Sequence, residues 1–204
     1  VQTVVHGGAT TPVTAVAPEG YRFVKWTTGA GADFGTANPI ALENVQSAVS
    51  LVANFAPEHL RYHQVSFIAE AHGNIIGQAV QVVAHGADCA PVTAAPEPGF
   101  QFVKLTRDGK DLAVTAVLSP TSVTADLEFV AHFAPEGETY YQVSFAAGAG
   151  GSLVGDVLQV VKSGENCAPV TAVPDGEQQF IKWTSGGATV ALAATVVYGP
   201  VAGN

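Results

Sequence analysis

From Gln64 to Ile68 polar and apolar side chains alternate, Gln-Val-Ser-Phe-Ile, and a period of two is what a strand half-buried in a sheet requires. A Gly-containing turn leads to a second apolar run that ends Gln81-Val82-Val83, and the two runs read as a hairpin. After a turn at His85–Pro91, residues 91–105 read as a strand, a Pro/Gly turn and another strand. Residues 111–125 bridge to a closing strand at 127–133. No stretch carries a 3.6-residue apolar stripe with capping residues. The expectation is an all-β chain of five or six short strands per unit, with at most one helical turn.

The pattern recurs. With a shift of 78, YHQVSF at 62–67 falls on YYQVSF at 140–145, QVV at 81–83 on QVV at 159–161, and CAPVTA at 89–94 on CAPVTA at 167–172. Phe102-Val103-Lys104 falls on Phe180-Ile181-Lys182. A shift of 79 brings HGGATTPVTAVAPEGYRFVKWT at 6–27 onto residues 85–106, and VANFAPE at 52–58 matches VAHFAPE at 130–136. Three tandem modules of about 78 residues follow: 1–58, 59–136 and 137–204. The first and last are incomplete. The first lacks the opening strand hairpin, and the third stops where Asp126 stands in the second, before a counterpart of LEFVAHF. Two explanations stand for those short ends: a segment of a longer array, or a polymer in which another chain supplies the strand. FAPEHLRYH and FAPEGETYY are the linkers, and their Ala-Pro-Glu restricts the chain to a semi-rigid string.

Composition narrows the setting. The chain has 48% apolar residues, enough for a core, and 22 Gly with 12 Pro suit strands and tight turns. Eight Lys and Arg stand against 17 Asp and Glu, a net charge of −9, with the basic residues scattered. Nucleic acid and anionic membrane both need concentrated positive charge, so neither is an expected partner. No run approaches the roughly 18 apolar residues of a membrane helix. The start at Val1 and the absence of Met point to a piece of a longer or processed protein, and low Lys and Cys lean toward an exported bacterial one.

The residues also resemble a known family. G-x-I-x-G, then PVTA, then P-x-x-G-Y-x-F-x-x-W, then Asn-Pro and a closing A-x-F is similar to the divergent internalin-B-type repeat, a bacterial surface module. The signature positions are Pro12, Gly20, Phe23 and Trp26 in the first copy, Pro91, Gly99 and Phe102 in the second, and Pro169, Phe180 and Trp183 in the third. Leu105 replaces the Trp in copy two, and Gln178 replaces the Tyr in copy three. The resemblance implies a β-grasp-like module with little or no helix, strung in tandem in secreted or wall-attached proteins.

Candidates for chemistry are few. Cys89 and Cys167 occupy equivalent positions, with Thr10 in that place in copy one. They lie a module apart, beyond the roughly 7 Å limit for bridged Cα atoms. Each reads as a buried free thiol, with an intermolecular cross-link as the other reading. Lys25, Lys104 and Lys182 recur beside the aromatic strand. Their readings are a solvent-facing position whose stem covers apolar surface, or a Lys–Asn isopeptide cross-link. His59 and His63 are spaced i, i+4 without a third ligand, and His6 and His85 recur in a turn; polar turn roles are expected rather than a metal site. No catalytic motif and no cofactor signature is present. Trp26 and Trp183 would suit a sugar-stacking platform or, more usually, a core.

The expected function is a structural stalk, spacer or adhesive repeat segment of an extracellular or cell-surface bacterial protein, and not an enzyme. Its partners would be neighbouring modules of the parent chain or identical chains, with a host or matrix glycan or protein as a further one. The rivals are a fibre subunit completed by inter-chain strand pairing and a carbohydrate-binding module.

Overall fold

The computed structural model describes residues 1–202, and among them there are strands and no helix. The first repeat holds β1 (Tyr21–Thr28), β2 (Asp33–Gly35) and β3 (Leu51–Pro57). The second holds β4 (Tyr62–Ala69), β5 (Gly73–Ile76), β6 (Val80–Ala84), β7 (Val92–Pro96), β8 (Phe100–Arg107), β9 (Lys110–Ala113), β10 (Val117–Leu118) and β11 (Leu127–Pro135). The third holds β12 (Tyr140–Ser144), β13 (Gly151–Val154), β14 (Leu158–Lys162), β15 (Val170–Pro174), β16 (Trp183–Ser185), β17 (Ala188–Ala191) and β18 (Thr195–Val196). The second repeat thus has eight strands where periodicity suggests five or six, because glycines and turns break its apolar runs into shorter pieces.

The chain packs as two compact units. One comprises residues 1–68, 75–94 and 117–129, the other 69–74, 95–116 and 130–204. In the first, β1 lies between β2 and β3, antiparallel to both. Strands β4 and β6 pair antiparallel from Tyr62↔Ala84 to Ser66↔Val80. The alternation of β4 buries Val65 and Phe67, which is why that stretch is a strand. Ahead of β1 the chain makes only the bridges Gly8↔Val45 and Val13↔Ile40. In the second unit β8 and β9 form a hairpin, β12 pairs with β14, and β15 lies between β13 and β18. Its third-repeat core gathers Val170, Trp183 and Val196, with Phe145, Leu153 and Phe180 against them.

The hairpin expected from QVSFI and QVV exists as β4–β6 and β12–β14, but the apolar run between is cut in two. Gly77 and Gly155, at φ of 111° and 116°, end β5 and β13 and redirect the chain into β6 and β14. Each faces the start of the PVTA strand. A Cβ on Gly77 would stand 3.2 Å from the Pro91 carbonyl oxygen, and one on Gly155 would stand 2.8 Å from that of Pro169. The two recurring motifs, G-x-I-x-G and PVTA, therefore touch in space, and the second glycine is fixed by both its backbone angle and the contact.

Buried glutamines secure the next turn. Gln81 accepts from the Ala90 amide at 2.8 Å and donates to the Ala90 carbonyl at 2.9 Å. Gln159 repeats this with Ala168 at 2.6 and 3.1 Å. A fully bonded buried amide is stable, whereas a half-bonded one is costly, so the turn carrying Cys89 or Cys167 is held to its strand at two atoms.

Gly77→Ala and Gly155→Ala are each expected to destabilise the chain by about 1–3 kcal/mol, the usual size of such backbone strain. Gly148, where an added Cβ would meet no atom within 4 Å and φ is not left-handed, supplies the control. Urea titrations of the three alanine variants check this, with Gly148→Ala unfolding near the unaltered midpoint.

Candidate functional site

The residues that recur most faithfully meet where one repeat joins the next. In β1 the pairing to β3 skips Val24, a β-bulge between Phe23↔Phe55 and Lys25↔Asn54. A bulge puts two successive side chains on one side of a strand, and here Val24 and Lys25 both reach β6 of the second repeat. Val24 packs with Ala56, Val82 and Tyr62. Lys25 Nζ lies 2.5 Å from Asp33 Oδ1 and donates to the Val82 carbonyl at 3.3 Å. The other oxygen, Asp33 Oδ2, accepts the Val82 amide at 2.6 Å. One carboxylate thus holds a lysine of its own repeat and a backbone N–H of the following one.

The second junction has the same parts. Val103 packs with Ala134, Val160 and Tyr140; Lys104 Nζ is 2.7 Å from Asp111 Oδ1; Asp111 Oδ2 accepts the Val160 amide at 2.6 Å. The carboxylate side chains are only 9% and 12% exposed, their lysines 23% and 25%. An anion so far from water needs its cation and its hydrogen bond to avoid a desolvation penalty, and both are supplied. The linkers are pinned as well. Arg22 Nε donates to the Leu60 carbonyl at 2.8 Å, and Gln101, its counterpart, donates to the Glu138 carbonyl at 2.5 Å.

Around Glu138 the second linker adds its own network. Lys162 lies 2.5 Å from one Glu138 oxygen, and Tyr140 donates its hydroxyl to the other at 2.7 Å. The hydrogen bond from Lys162, then that from Tyr140, holds the Glu138 carboxyl below its ordinary value. Burial first, then the bond to Glu138, pushes the Tyr140 phenol up to about 12.

The third repeat departs from this pattern. Lys182 is exposed, and Thr189 stands where the other two repeats have Asp33 and Asp111. The recurrent lysines are therefore of two kinds: Lys25 and Lys104 face an Asp, and Lys182 faces solvent. An amide formed at either Asp would expel water, not the ammonia that a Lys–Asn bond releases.

The other signature residues are structural in placement. Gly20 and Gly99 have φ of 76° and 85°, the left-handed turn ahead of β1 and β8. Pro12 precedes the Val13↔Ile40 bridge, as Pro91 and Pro169 precede β7 and β15. Phe23 meets Phe55 edge-on, and Phe102 meets Phe133 in the same way. Phe180 tilts against Trp183. Trp26 and Trp183 are buried and donate their indole N–H to the Ala37 and Ala194 carbonyls at 2.9 and 3.1 Å. Neither offers a face to a sugar, so the stacking platform that those residues would suit is not formed by them.

Cys89 and Cys167 are free and buried. Burial raises both thiols, with Asp88 adding to the effect at Cys89. Thr10 takes the cysteine's place in the first repeat because its Oγ1 accepts the Leu42 amide at 2.8 Å; the matching residue in the second repeat is Pro120, which has no N–H to satisfy. His63 Nε2 is 2.9 Å from His85 Nδ1, a polar turn contact. Among the described residues no group of three or more His, Cys, Asp and Glu side chains could hold a metal ion. The residues that sequence reasoning missed are Asp33 and Asp111, which share a register of 78 while their lysines are 79 apart.

A family model described as the divergent InlB B-repeat domain matches three times, over residues 1–59, 63–137 and 141–200. No curated protein and no solved structure matches the chain.

Two outcomes are expected in solution. A thiol reagent should leave both cysteines of the native chain essentially unmodified and titrate two on unfolding, because the reactive thiolate is suppressed by burial. Tyr140 favours its neutral form when folded, so its contribution to stability is intact below the ordinary tyrosine value near about 10 and is lost as pH rises toward about 12. Denaturation midpoints from pH 9 to 12 should fall less steeply for Tyr140→Phe than for the unaltered chain.

Proposed function

The chain belongs to the divergent InlB B-repeat family, and on that premise we propose that it is a structural spacer of an extracellular bacterial surface protein, working by holding successive repeats at closed junctions. Membership of the family makes it a repeat region of the kind found in bacterial surface proteins. The described residues include no helix long and apolar enough to cross a membrane.

The observation that carries the spacer reading is the duplicated junction. A flexible tether would need no shared apolar cluster, no buried ion pair and no captured linker carbonyl. All three occur at both junctions, on residues matched in the two copies. The pieces are individually modest. A half-buried hydrogen bond to a charged group contributes about 1.5–3 kcal/mol, and a few small apolar side chains contribute comparable amounts. Together they are enough to keep each junction closed most of the time, which is what converts a number of repeats into a definite separation.

The chemistry of an enzyme finds no support in this arrangement. Lys25 with Asp33 and Lys104 with Asp111 pair with each other and with backbone at contacts between repeats.

Spin labels placed on either side of the first junction, in the whole chain, test the proposal. Electron–electron distance measurements should give one narrow distribution, broadened in Asp33→Ala, with Asp111→Ala doing the same at the second junction only. A broad distribution in the unaltered chain would sink the spacer reading. Amide exchange offers a check at single residues: Val82 should lose protection in Asp33→Ala, by roughly 10- to 100-fold if the loss is about 1.4–2.8 kcal/mol.

A further inference from the structure

The basic residues are scattered along the sequence, but the fold gathers several of them at the first linker. A cavity of about 310 Å³ opens there, lined by His59, Leu60, Arg61, Tyr62, Ala84 and His85. Arg22 stands behind its wall: Nε donates to the Leu60 carbonyl at 2.8 Å, and the guanidinium lies 5.8 Å from the centroid of the Tyr62 ring. His63 joins through His85, its Nε2 lying 2.9 Å from His85 Nδ1. Two of the chain's three arginines and three of its six histidines thus meet in one place, within one compact unit. In a chain of net charge −9 that is a local reversal of sign.

These groups also lack acidic partners, although 17 Asp and Glu stand against 8 Lys and Arg. Among the described residues no carboxylate lies within ion-pair distance of Arg22, His59, Arg61 or His85. Asp126 does approach the cluster, but it accepts the Gln64 amide at 2.9 Å and faces the far nitrogen of His63, Nδ1, at 3.5 Å. Arginine stays charged at any working pH and presents its N–H donors as a planar fork. An Arg61 that lines a cavity without a carboxylate is therefore free to take an anion from outside.

The second linker shows that closing a junction does not require this cluster. Gln101, Gly137, Thr139, Tyr141 and Ser163 stand where the first junction has Arg22, His59, Arg61, His63 and His85, and Glu138 takes the place of Leu60. None of the five replacements is cationic. That junction is nevertheless closed by the same means, with Val103 packed on Ala134 and Val160 and Gln101 donating to the Glu138 carbonyl. Holding the linker accounts for Arg22, whose bond Gln101 reproduces. It leaves His59, Arg61 and His85 without a structural reason for their chemistry.

We propose that the cavity at the first linker binds a small oxyanion, a phosphate or sulfate group that is either free or carried as an ester. Arg61 supplies a permanent charge and paired N–H groups that match two oxygens of such a group. His59 and His85 add ring N–H donors, and Arg22 adds positive charge from behind the wall. The cluster is too small for a nucleic acid, which is held through many phosphates at once, and the acidity of the rest of the chain opposes an extended polyanion. The cavity is open to water, which screens its charges, so binding in the millimolar range is expected. The inference does not rest on the spacer reading, because the junction closes with or without the cluster.

Titration of the 204-residue chain with sodium phosphate at constant ionic strength, followed through its backbone amide resonances, tests this. Saturable shifts are expected at residues 59–63 and 84–86, with the matched residues 137–141 and 162–164 unmoved. His59→Gly combined with Arg61→Thr copies the second linker at two exposed positions. It should weaken binding by about tenfold or more while the rest of the spectrum stays in place. Sodium sulfate and methyl phosphate are the further probes. Methyl phosphate bound as tightly as inorganic phosphate assigns the site to an ester on a larger molecule, weaker binding assigns it to the free ion, and both uphold it. Shifts that never saturate, equal shifts at the two linkers, or undiminished binding in the double variant overturn the proposal. Should the double variant fail to fold, the comparison of the two linkers in the unaltered chain decides alone.

Discussion

The structure depends on a carboxylate that answers to two repeats at once. Asp33 and Asp111 each bind a lysine of their own repeat through one oxygen and a backbone N–H of the next through the other. Neither bond is replaceable by water alone, because the side chains are nearly buried and an N–H left there without an acceptor costs about 1–3 kcal/mol. The small apolar cluster beside each pair is what excludes the water. Charge and apolar contact therefore act together: the cluster makes the bond strong, and the bond gives the cluster a fixed register that a few alanines and valines could not set alone.

This arrangement spreads stability along the chain in a particular way. Each repeat has residues of its own core, such as Val170, Trp183 and Val196 in the third, and each junction has a core made from two repeats. A linear array with terms of both kinds behaves as a sum over units and nearest-neighbour contacts. Sequence pattern alone points to proline as the constraint at each junction. Pro57 and Pro135 in fact end strands β3 and β11, and the linkers are held by Arg22 and Gln101 reaching the same carbonyl position. Proline restricts the chain, but side-chain bonds decide where it goes.

How much of this the sequence discloses varies with the kind of signal. Strand content, the absence of helix and the threefold repeat are open to inspection, since period-two alternation and self-similarity are properties of the string itself. The division of the run IIGQAVQVV into β5 and β6 is not, because the break comes from the contact of Gly77 with Pro91, 14 residues on. The junction is half legible. Lys25, Lys104 and Lys182 stand out by recurrence, but a one-residue difference between Thr27 and Asp33 throws the aspartates out of the lysines' register. A salt bridge across a hairpin is blind to that slip, whereas an alignment by fixed shift is not. Phe129 and Phe133 are legible as aromatic positions and not as partners, since only the fold shows that Phe129 stacks on Phe67 and that Phe133 lies over Gly73.

The junction also resolves a problem common to open sheets. Strand β6 pairs with β4 along one side, and its other edge would expose unpaired backbone groups to association. Hairpin β1–β2 of the preceding repeat covers that edge, with Asp33 and Lys25 taking the Val82 N–H and carbonyl; β8–β9 does the same for β14 through Asp111. Lysine is required because the aspartate is there: a carboxylate brought so far out of water would oppose closure unless neutralised. The third repeat supplies the complementary case within the same chain. Where Thr189 replaces the acid, no anion waits for a cation, and Lys182 extends into solvent. Position by position, then, the lysine follows the aspartate into the junction, and the aspartate follows the strand edge that it covers.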